Sequence, residues 1–70
     1  MQMMPEFVEK QVYVFARTGE RKNNFKLIQI WKNDNRKVLK FEYYGGDKSG
    51  QKFDIYADDP QLYNYEEFYV

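Results

Sequence analysis

Few side chains in this sequence can do chemistry, and those that can are not grouped for it. The chain has neither His nor Cys. That excludes a His-based triad, a thiolate nucleophile, a disulfide framework and the usual zinc sites. The remaining candidates are Ser49, Thr18, the tyrosines and the carboxylates. Ser49 lies in Gly46-Asp47-Lys48-Ser49-Gly50, which shares its Lys-Ser pair with a phosphate loop but lacks that loop's spacing and following helix. It reads as a turn. Asp58-Asp59 provides too few regularly spaced oxygens for a calcium loop and reads as a capping pair. Glu66 and Glu67 are neighbours that diverge on a helix. The expectation is a chain with no catalytic residue, no metal site, no cofactor and no evident small-molecule substrate, and therefore not an enzyme.

The elements that would position any site must come from a short chain. Seventy residues hold one small domain. Phe, Tyr and Trp number 6, 7 and 1, and each can bury about 150–250 Å², so rings must supply much of the core. Eleven basic residues balance eleven acidic ones. The balance is uneven along the chain. Residues 17–52 hold ten basic and four acidic side chains, whereas residues 53–70 hold five acidic and none basic. The apolar start ends at Pro5-Glu6, too short for a signal peptide, and no apolar run reaches membrane-spanning length. These features suggest a cytoplasmic protein with no membrane contact.

The pattern predicts an α+β fold: a four-stranded antiparallel β-meander with a short C-terminal helix packed on one face. Residues 1–6 read as a flexible N-terminus, 7–57 as the meander and 58–70 as a C-terminal helical segment. Strands are expected over Phe7 to Ala16, Phe25 to Lys32, Lys37 to Tyr44 and Gln51 to Ala57, where Val, Ile and aromatics recur. Between them lie Arg17 to Asn24, the Asn33-Asp34-Asn35-Arg36 turn and Gly45 to Gly50. Asp59-Pro60 is a helix-start signal, with Leu62, Tyr65 and Tyr69 at helical spacing, so residues 60–68 read as a helix. A fifth strand over Glu66 to Val70 is the alternative.

Register then sorts the side chains. A tight turn at 33–36 sets Lys32 against Lys37, Trp31 against Val38, Ile30 against Leu39, Gln29 against Lys40 and Ile28 against Phe41. With a bulge near Gly50, Phe53 faces Tyr43 and Ile55 faces Phe41. The predicted core face is Val12, Val14, Ile28, Ile30, Leu39, Phe41, Phe53, Ile55 and Ala57. The opposite face then carries Tyr13, Phe15, Phe25, Leu27, Trp31, Tyr44 and Tyr56 among polar residues, more apolar surface than an open sheet face should show.

That excess predicts a partner-binding surface of Tyr13, Phe15, Phe25, Leu27, Trp31 and Tyr44. Its occupant is expected to be a protein partner or a second copy, giving a homodimer. The alternative is a single-stranded nucleic-acid module using the basic loop, Arg17, Arg21, Lys22 and Lys26, with neighbouring rings. In composition the chain resembles the small, aromatic- and Asn/Lys-rich proteins of unknown function encoded by phages and prophages of Gram-positive bacteria. The resemblance implies a cytoplasmic protein that acts by binding a host or phage macromolecule, and it assigns no site residue.

Overall fold

A computed structural model describes residues 6–63. Its strands are Val12–Ala16 (β1), Lys22–Asn33 (β2), Arg36–Tyr43 (β3) and Lys52–Tyr56 (β4), and each pairs antiparallel with the next in an open four-stranded sheet. Turn chemistry sets this meander. Asp34 and Asn35 adopt φ of 51° and 66° between the paired Asn33 and Arg36. A two-residue hairpin turn of the I′ type needs that left-handed pair, and Asp and Asn tolerate it. Gly19, at φ 82°, lets the chain reverse between β1 and β2, where the Glu20 amide donates to the Arg17 carbonyl over 2.9 Å.

From the turn back to Gln29 the β2–β3 pairing is the predicted one. There it gains a residue: Gln29 pairs with Lys40 but Leu27 pairs with Phe41, leaving Ile28 as a bulge. One inserted residue exchanges the faces of everything beyond it. Phe25 and Leu27 therefore point into the core, together with Tyr13 and Phe15 of β1, which align through the Tyr13–Phe25 pair. This corrects the expected faces: Val12 and Val14 lie on the other side of the sheet and Ile28 sits in the bulge. The energetics explain the choice. Tyr13, Phe15, Phe25 and Leu27 are all 0% exposed, and each large apolar side chain buried contributes about 1.5–3 kcal/mol. The ladder bond disturbed by a bulge is worth only about 0.5–1.5 kcal/mol. The β3–β4 register differs by two residues, with Phe53 on Phe41 and Ile55 on Leu39. Because that shift is even, both keep their inward face.

The sheet coils around its rings. Phe15 on β1 lies 6.5 Å from Phe53 on β4 between ring centroids, although a flat sheet would set those strands about 14 Å apart. Phe25 and Phe41 fill the centre, Phe25 at 4.3 Å from Phe15 and 5.3 Å from Phe53. Two chain segments close the concave side. Phe7 packs on Tyr13 at 5.1 Å, and Leu62 is fully buried against the same cluster. The expected C-terminal helix is corrected within the described residues: Pro60–Tyr63 is a single 3₁₀ turn. Asp59 does act as its cap, its carboxylate accepting from the Gln61 amide at 2.9 Å. Residues 64–68 of the expected helix, and the alternative strand at 66–70, lie outside the described residues, as do residues 1–5. No helix among the described residues is long and apolar enough to cross a membrane.

Candidate functional site

The bulge that fills the core also decides what is left on the open face. The residues there are the even positions of β1, β3 and β4, with Gln29 and Trp31 from the far half of β2 and Lys22, Asn24 and Lys26 from its near half. Trp31, Val38 and Tyr56 form one row across β2, β3 and β4. Val38 is only 7% exposed although it faces away from the core, because a ring stands on each side of it. Asn33 and Asp54 complete a shallow cleft of about 230 Å³ around this row.

A cation accompanies each ring. The Arg36 guanidinium stacks on Tyr56 with Cζ 3.5 Å from the ring centroid, and the Lys40 ammonium lies 5.7 Å from Trp31. Such contacts are worth about 0.5–1 kcal/mol at exposed sites. Arg36 also donates to Asp58 at 2.9 Å, and this carboxylate raises the guanidinium pKa above its ordinary value. The open side of the strands carries five cations (Lys22, Lys26, Arg36, Lys40 and Lys52) and two acids (Glu42 and Asp54). Both acids are flanked across the strands, Glu42 by Lys26 and Lys52, Asp54 by Lys40. On the other face, at the hairpin end, Lys32 and Lys37 stand directly opposite each other, both exposed.

Of the six residues expected to bind a partner, the structure leaves two on the surface. Trp31 is half-buried on the open face, and Tyr44 is 55% exposed just beyond β3. Tyr13, Phe15, Phe25 and Leu27 are core residues and present no surface to a partner. No known family, curated protein or solved structure matches the chain. The surface must therefore be read from its own chemistry.

The expected basic loop does not act as one unit. Arg17 folds back over the core, its Cζ 3.9 Å above Phe53, and donates to the Tyr43 hydroxyl at 3.2 Å. Tyr43 in turn donates to Glu20 at 2.8 Å, and Lys48 donates to the other Glu20 oxygen at 2.7 Å. This chain ties the β1–β2 loop to the β3–β4 loop. The hydrogen bond from Lys48, followed by that from Tyr43, holds the Glu20 carboxyl below its ordinary value, and Glu20 raises Lys48 in return. Arg21 and Lys22 are exposed and Lys26 is half-buried on the open side. Ser49 sits in a turn, its amide donating to the Gly46 carbonyl at 3.2 Å.

Sequence reasoning paired Trp31 with Val38 and put Tyr56 on the same face, but left Val38, Tyr56, Arg36 and Lys40 out of the site. The signal that could have found them is the alternation of Lys37 to Tyr44. It sets Val38 and Lys40 on the side opposite Leu39 and Phe41.

Proposed function

We propose that this chain is a non-enzymatic binding module that engages a macromolecule through the open face of its sheet, centred on Trp31 and Tyr56. The observation that carries this reading is the Trp31–Val38–Tyr56 row itself. It lies outside the core cluster, on the face opposite the closing segments, where an open sheet would ordinarily be polar. The core is already filled by other rings, so this row is surplus to folding. The face is also cationic in a chain of zero net charge. Two copies meeting on this face would oppose like charges, which makes a different partner a better fit than a homodimer.

Site-specific photo-crosslinking in the cell that encodes the protein tests the surface without assuming the partner. A photoreactive residue at Lys40, on the open face, should give a macromolecular adduct. The same residue at Asp47, in the exposed β3–β4 loop, should not. Equal yields from both positions, or none from Lys40, would remove the open face as the working surface.

A further inference from the structure

Resting on that reading of the open face, we infer that its partner is a single-stranded nucleic acid, with bases stacking at Trp31 and on the Arg36–Tyr56 stack and phosphates held by Lys26, Lys40 and Lys52. Ring spacing is the first observation. Trp31 and Tyr56 stand on β2 and β4 with β3 between them, so their strands lie two spacings, about 9.5 Å, apart. Two separated rings on a sheet suit unpaired bases, which expose both faces; bases in a duplex are already stacked on each other. Arg36 extends one of the two platforms, since its guanidinium lies 3.5 Å from the Tyr56 ring and a base stacks on a guanidinium plane as it does on a ring.

Charge placement is the second observation, and it is independent of the rings. Lys26 and Lys52 flank Glu42 across the strands on the open side. One carboxylate between two ammonium groups leaves positive charge that a phosphate neutralises. Lys40, 5.7 Å from the Trp31 ring, puts a third cation beside a stacking position. Cations set among rings on one face match a polymer that carries phosphates beside its bases. A folded protein partner would call for a continuous apolar patch with charges kept to its rim. This face has Trp31, Val38 and Tyr56 in one row and Val12 and Val14 apart from it on β1, with cations set among them.

The chain has a single tryptophan, Trp31, so stacking can be read directly. The full chain is titrated at low salt with an oligothymidylate of about 12 nucleotides, a length within the usual range for single-strand sites. Trp31 emission is followed together with the anisotropy of a labelled oligonucleotide. Quenching is expected, with a log–log salt slope of about −2, from three phosphate contacts at about −0.7 each. Trp31→Ala should weaken binding about 5- to 150-fold. Lys40→Gln, which leaves both rings in place, should make the slope shallower by about 0.7. Absence of quenching and of any anisotropy change overturns the inference. So does a duplex of equal length that binds as tightly, or heparin that competes equally while Trp31→Ala binds like the parent. The crosslinking experiment separates the two levels: a Lys40 adduct removed by protease and not by nuclease keeps the surface and overturns the nucleic acid.

Discussion

Replacing Leu27 with alanine should destabilise the fold far more than replacing Val14, and the difference measures the bulge at Ile28. With the bulge, Leu27 is wholly buried opposite Phe41. Truncating such a leucine removes transfer energy and leaves a cavity, a loss of about 2–5 kcal/mol. Val14 is half-buried on the open side, opposite Asn24. It loses two methyl groups worth about 0.8 kcal/mol each when fully buried, so roughly half of that sum, about 0.8 kcal/mol, is expected. An unbulged pairing reverses the order, because Val14 would then line the core and Leu27 would face water. The assay is urea unfolding followed by far-ultraviolet circular dichroism and Trp31 emission. With a slope near 1 kcal/mol per molar urea, the midpoint should fall by about 2 M or more for Leu27→Ala and by less than about 1 M for Val14→Ala. A chain of this length has a total stability of about 3.5–10 kcal/mol, so both variants should retain a measurable folded baseline in stabilising sulfate buffer. A larger loss for Val14→Ala than for Leu27→Ala would refute the bulged register and every face assignment that depends on it.

Two further perturbations test the loops that hold the sheet in shape. Glu20 has its folded pKa depressed below the ordinary 4.5 by Lys48 and Tyr43. Its contribution is therefore present above about pH 4.5 and lost as the pH falls through the lower folded value. Glu20→Gln should flatten the acid limb of a stability–pH curve, and an unchanged limb would show that the network adds nothing. Asn35 holds φ at 66°, a conformation that costs an ordinary L-residue about 1–2 kcal/mol, so Asn35→Ala should lower stability by about 1 kcal/mol in the same urea assay while Asn35→Gly should not.

The hairpin and its register near the turn were legible in the residues. Asn33-Asp34-Asn35-Arg36 permits one tight turn, and that turn dictates the pairs from Lys32–Lys37 back to Gln29–Lys40. The inward face of β3 and β4 was legible too, since Leu39, Phe41, Phe53 and Ile55 alternate cleanly with polar residues. The start of the last turn was marked by Asp59-Pro60. Its length was not, because helical spacing of Leu62 with later tyrosines says nothing about whether the turn continues beyond Tyr63. In the candidate site, Trp31 was legible as a surface ring. The cations beside it belong, along the chain, to a basic run, and their pairing with rings is a cross-strand property.

What the sequence by itself determined is local: turns whose backbone only certain residues adopt, and alternation that orients a strand next to such a turn. It could not place the extra residue in β2, because Phe25-Lys26-Leu27-Ile28-Gln29-Ile30 has apolar side chains on both parities and satisfies either register. Tertiary structure decided that point. Phe15, Phe25, Phe41 and Phe53 come from four strands and bury their surface only when all four point to one side. That cooperative gain exceeds the cost of one bulge, and it leaves the open face to Trp31, Tyr56 and the cations beside them.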